Sequence, residues 1–146
     1  MRIMAIDPGT KRLGVALSDS SGMVAMPLNV IEHKSRHADA ETILGLADKN
    51  NADLIVIGQA MDGDGAPTPQ GRSAARLAGA LRKNTKIPVE LWDESGSTQA
   101  ARSAKIIMGS ARKKRRGHLD EIAATVILQS YIDAHFGKPT HQINCE

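Results

Sequence analysis

The links PGTKR and DSSG constrain this chain more than any other feature. They join three strand-like apolar runs: Ile3 to Asp7, Leu13 to Ser18 and Val24 to Glu32. Connections this short return a strand to an antiparallel neighbour, so the first third of the chain should be a three-stranded meander. Pro27 has no backbone donor, which suits its run to a sheet edge. The pattern then changes. Ala40, Ile43, Leu44 and Ala47 recur at helical spacing within His37 to Asn50. LIVIG, Leu54 to Gly58, is apolar in succession, as in a parallel strand covered on both faces. The loop Gln59 to Gln70 follows, rich in Gly, Pro and Asp. A helix over Gly71 to Lys83 then sets Ala74, Leu77, Ala78 and Leu81 on one face. Pro88 to Trp92 reads as a strand. A third helix should start at Ser97 or Thr98 and stop at Gly109, and a last helix should run from Leu119 to Phe136. The order βββαβαβαα predicts an α/β fold with a mixed sheet and helices on both faces.

A chain of 146 residues with 41% hydrophobic content can bury one core. One domain over residues 1–136 is expected, with 137–146 as a flexible tail. Aromatic residues make up only 2%, which argues against a broad base-stacking platform. The single cysteine, Cys145, excludes an internal disulfide. MRIMAIDPG lacks the long apolar stretch of a secretory signal, and no run approaches the ~20 apolar residues needed to cross a bilayer. A soluble cytoplasmic protein with no membrane partner is expected. The net charge of +3 permits a polyanionic partner, and its distribution favours one: Arg112, Lys113, Lys114, Arg115 and Arg116 are consecutive.

Three acids invite a chemical reading. Asp7 ends the first strand. Glu94, with Asp93, follows the last strand. In open α/β sheets functional groups gather beyond the carboxyl ends of the parallel strands. Asp120 lies on one helical stripe with Ala123, Ala124, Ile127, Leu128 and Tyr131, so it should point toward the sheet. Three carboxylates brought together repel one another and rise in pKa unless a cation joins them. Mg²⁺ or Mn²⁺ suits such an all-oxygen set. Two ions ~4 Å apart can activate water and hold a leaving phosphate oxygen. Each part also has a plain structural explanation. Asp7-Pro8-Gly9 is turn chemistry, Asp120 favours a helix start, Asp93 and Glu94 precede another, and the basic run could simply be solvated. The joint placement of the acids carries the argument. The five histidines show no zinc-type spacing.

With those motifs in view, the sequence resembles the bacterial YqgF proteins, also called RuvX, of the RNase H-like superfamily. The likeness spans Met1 to about Phe136 and rests on IDPGTKRLGVALSD, IVIGQAMDGDG, LWDESGSTQAARS and HLDEIAATVILQSYI. It implies an RNase H-like fold whose five-stranded mixed sheet runs in the order 3-2-1-4-5, with strand 2 antiparallel. It implies a nuclease that uses Mg²⁺ or Mn²⁺, with Asp7, Glu94 and Asp120 as catalytic metal ligands. Asp93, Ser97, Thr98 and His118 are possible supporting residues. Nucleic acid would be gripped by Lys11, Arg12, Arg72, Arg76 and the Arg112–Arg116 run. Two activities have been assigned to the family: trimming the 5′ end of precursor 16S ribosomal RNA, and resolving Holliday junctions. The first is the preferred expectation here, with a precursor ribosomal particle as partner. Two positions depart from the family pattern. Gln59-Ala60 replaces a small apolar residue and Pro, and Ser95-Gly96 replaces Arg-Leu, which removes a cation beside the expected site.

Two other classes of protein share parts of this pattern. A sugar-kinase or actin-type ATPase also places an Asp-x-Gly-Thr turn between strands, but it closes two such domains over its nucleotide and this chain supplies one. A non-catalytic RNA-binding assembly factor on the same fold would bind RNA and leave it uncut.

Overall fold

The computed structural model describes residues 1–93 and 119–136, the first three residues of the last helix by backbone alone. Five strands, β1 (Ile3–Pro8), β2 (Arg12–Ser18), β3 (Ala25–Glu32), β4 (Leu54–Gln59) and β5 (Val89–Asp93), form one sheet in the order β3-β2-β1-β4-β5. Three helices are described: α1 (Arg36–Lys49), α2 (Pro69–Asn84) and α3 (Leu119–Phe136). The helix expected from Ser97 to Gly109 and the tail after Phe136 lie outside the described residues.

The short links do what their length requires. β1 pairs antiparallel with β2, and β2 with β3, while β1–β4 and β4–β5 are parallel. In the β2–β3 turn Gly22 takes φ +78°, a conformation that a side chain would strain. Asp19 holds the same turn, accepting from the N–H groups of Met23 and Val24 and from the Ser21 hydroxyl. Pro27 sits on the edge strand, as expected. Val15 pairs with Asn29 and Ala16 with Pro27, so Leu28 is the extra residue of a bulge. Edges and bulges are where a missing N–H costs least.

Helix starts follow their caps. The Ser35 hydroxyl accepts from the Ala38 N–H, and the Thr68 hydroxyl from that of Gly71. α2 begins at Pro69, two residues before the sequence expectation. Thr-Pro is itself a start signal, since proline at the first helical position gives up a donor that has no partner there anyway.

The sheet divides the core into two layers. Met4, Ile6, Ile55 and Ile57 pack with α1 and α2 on one face. Ile3, Ala5, Leu54 and Val56 pack with Ala124, Ile127, Leu128, Tyr131 and Ile132 of α3 on the other. Alternation along each strand produces this division. The chain's one Trp, one Tyr and one Phe meet in a single place. The ring of Trp92 lies edge-on to Tyr131 at 5.3 Å, His135 stacks on Tyr131 at 3.9 Å, and Phe136 lies 6.5 Å from His135. Trp92 Nε1 donates to the Ser130 hydroxyl. Burial and the Glu90 carboxylate together push the Tyr131 phenol up to about 12.

Candidate functional site

Ile3 and Ala5 belong to the α3 layer, so strand alternation puts Asp7 on that same face. It is half-buried at the carboxyl end of β1. Its partner across β2 is Gly14. On the other side, β1 and β4 are in register at Ile6 and Ile57, so the next residue beside Asp7 is Gly58. The carboxylate therefore stands between two residues with no side chain.

The other parallel strands end at the same rim. Gln59 closes β4 and pairs with Asp93, the exposed last residue of β5. Glu94 follows Asp93 in the chain and lies outside the described residues, as do Ser97, Thr98, His118 and Arg112, Lys113, Lys114, Arg115 and Arg116. Asp120 is the second residue of α3, the helix that covers the face carrying Asp7. Its backbone is described and its side chain lies outside the described residues. Among the described residues, Asp7 and Asp93 bring carboxylates to these strand ends, a donor type that suits a hard divalent ion. Among the described residues alone there is no cluster of three His, Cys, Asp or Glu able to hold one.

The cations divide between two regions. Lys11 and Arg12 are exposed beside the β1–β2 turn, separated from Asp7 in the chain by Pro8, Gly9 and Thr10. Arg72 and Arg76 are exposed on α2, in the layer on the opposite side of the sheet. There Arg72 donates to the Pro67 carbonyl and Arg76 to the Ser73 hydroxyl.

Two features had no clear sequence signal. Gln59 is buried, and its Nε2 donates to the Gly71 carbonyl at 3.1 Å, fastening the end of β4 to the first turn of α2. The second is a groove of about 810 Å³ on the α1–α2 side of the β1–β2 turn. Leu13 and Leu77 lie at its apolar base, and Pro8, Gly9 and Thr10 form one wall. Among the described residues no helix is long and apolar enough to cross a membrane.

A profile of the RuvX family, described as Holliday junction resolvase, matches residues 1–134. A relative from Halothermothrix orenii, named "Putative pre-16S rRNA nuclease", is 40% identical over 133 residues, 91% of this chain and 95% of its own. One of the same name from Geobacillus thermodenitrificans is 40% identical over 136 residues, 92% of this chain and 99% of its own. Among solved structures, T. thermophilus RuvC in complex with Holliday junction substrate aligns with a TM-score of 0.57 at 17% identity, over 94% of this chain and 96% of that one. That likeness establishes the RuvC-like, RNase H-type fold. A profile match over nearly the whole chain and relatives at this identity give the lineage as well: the chain belongs to the RuvX family.

Proposed function

We propose that this protein is a metal-dependent nuclease that trims the 5′ end of precursor 16S ribosomal RNA in the cytoplasm. The observation that carries the reading is the position of Asp7: a half-buried carboxylate at the carboxyl end of β1, between Gly14 and the Gly58 position, on the face that α3 covers. The names of the relatives supply the substrate. Asp7, Glu94 and Asp120 would hold Mg²⁺ or Mn²⁺, two ions when substrate is bound. Such ions activate water and stabilise the leaving phosphate oxygen. In this reading the chain's own contribution is Asp7 at the carboxyl end of β1, with the exposed Lys11 and Arg12 after the turn as partners for the phosphate backbone.

The test is cleavage of a single-stranded RNA carrying the precursor 5′ extension, with Mg²⁺ or Mn²⁺ and with EDTA controls. Asp7→Asn and Asp120→Asn should each keep the fold and lower the rate at least ~100-fold, since even the loss of a supporting partner costs a metal site 10–100-fold. Cleavage that survives Asp7→Asn would overturn the reading. The family description favours a second substrate, so a four-way DNA junction belongs in the same assay. Cutting of the junction alone would make the protein a resolvase. Binding of RNA with neither substrate cut would make it an assembly factor.

A further inference from the structure

The groove beside the β1–β2 turn has no part in the site described above. We infer that it is a nucleotide subsite, which holds one unpaired nucleotide of the RNA strand adjacent to the bond that is cut. The inference rests on the nuclease reading and deepens it.

Three observations support a nucleotide as occupant. The first is continuity. Pro8, Gly9 and Thr10 wall the groove, and Asp7 immediately precedes them. Asp7 faces the α3 side, while Leu13 and Leu77 at the base of the groove belong to the α1–α2 layer. A strand held at Asp7 that crosses this turn enters the groove directly. The second is shape and chemistry. A groove with an apolar base and a few polar groups at the rim suits a flat heterocycle joined to a charged group. Ser73 and Gln70 line the α2 side one helical turn apart, and both are exposed. The third is charge. Arg36 stands at the rim, and the exposed Lys11 follows the turn that walls the groove.

Among the described residues, the one acid lining the groove is already engaged. Asp39 is buried, and its carboxylate meets His33 Nδ1 and accepts from the Lys34 N–H. This fixes the His33 ring and leaves Nε2 without a partner among the described residues. The two helix ends do not supply the binding groups in this scheme, because Ser35 and Thr68 already cap them. The polar contacts come from Arg36 and His33.

The test is binding, measured in EDTA on an Asp7→Asn background so that cleavage plays no part. The probes are a fluorescein-labelled single-stranded octauridylate and a blunt RNA duplex of the same length. Ser73→Trp fills the groove from an exposed helix position, and Arg36→Glu reverses the rim charge. Lys49→Glu makes a similar charge change at the far end of α1. Ser73→Trp and Arg36→Glu should each weaken the single strand about tenfold more than the duplex, the scale of one lost anchoring contact. Lys49→Glu should affect both probes alike. A single strand bound as tightly by Ser73→Trp as by its parent, or equal loss on both probes, would overturn the subsite. A titration of the parent with uridine monophosphate gives a check that needs no variant: the methyl resonances of Leu13 and Leu77 should shift and saturate, and unmoved resonances overturn the proposal. If the groove binds as stated while RNA stays uncut in the cleavage assay, the nuclease reading fails and takes with it the subsite's place beside a cut bond, while single-strand binding in the groove stands. If RNA is cut while the groove variants bind normally, the reverse holds.

Discussion

Gln59 and Gly71 are joined by a buried hydrogen bond that ties the end of a central strand to the start of a helix. The approach at Gly71 is close: a Cβ there would lie 2.2 Å from the Ala60 carbonyl oxygen and 3.3 Å from Gln59 Cγ. Gly71→Ala must push α2 away from β4, and overpacking of this kind costs about 1–3 kcal/mol. Gln59→Leu removes the bond, at about 1 kcal/mol. Urea denaturation should rank Gly71→Ala below Gln59→Leu, and both below the parent. A neutral Gly71→Ala would mean that the strand end yields freely.

Acid stability should depend on Asp19. The Ser21 hydroxyl and the N–H groups of Val24 and Met23 hold its carboxyl below the ordinary 3.8. A depressed folded pKa gives stability that is present above the unfolded value and lost as pH falls through the folded one. Asp19→Ala should therefore lower Tm at pH 7, and the gap to the parent should narrow below pH 4. A gap of constant size down to pH 2 would contradict the carboxylate's role in the turn.

Tyr131 gives the alkaline counterpart. Its phenol is pushed up from 10.0 to about 12, first by burial and then by Glu90. The fold thus favours the neutral phenol, and its contribution is complete below pH 10 and lost as pH rises toward 12. This is the only tyrosine, so phenolate absorbance reports it without overlap from another. The absorbance midpoint should lie near 12 in the folded protein and near 10.0 in urea, with Glu90→Gln partway between. A folded-state midpoint at 10 would deny the burial.

The basic run should appear in salt dependence. Each cation that neutralises a phosphate adds ~0.7 to the slope of log affinity against log salt on a single strand. Replacing Arg112, Lys113, Lys114, Arg115 and Arg116 by Gln should flatten that slope by at least ~1 for RNA. An unchanged slope would remove the run from the interface.

Local rules made most of the architecture legible. Short links compelled the meander, Pro27 marked the edge, and the apolar run of β4 announced a strand buried on both faces. The parallel β1-β4-β5 arrangement then carried Asp7 to the carboxyl end of the strands, where the sequence reading expected it. The start of α2 fell two residues early because Thr68-Pro69 lay within a stretch that reads as loop by composition. The Gln59 latch and the groove were hidden for a different reason. Both arise where β4, α2 and the β1–β2 turn converge, and residues distant in sequence leave no periodic trace of such meetings. The structural positions of Glu94, the basic run and the Asp120 side chain lie outside the described residues, so those expectations enter the nuclease proposal on sequence grounds.

The gathering of Trp92, Tyr131 and Phe136 has a practical consequence. With one copy of each aromatic, this protein's near-ultraviolet circular dichroism and intrinsic fluorescence arise from one seam, between the end of β5 and the last turns of α3. Optical melting will report the undocking of that helix and stay silent about the groove on the other side of the sheet. A tryptophan introduced at Ser73 would therefore be both a plug and the first optical reporter on that side.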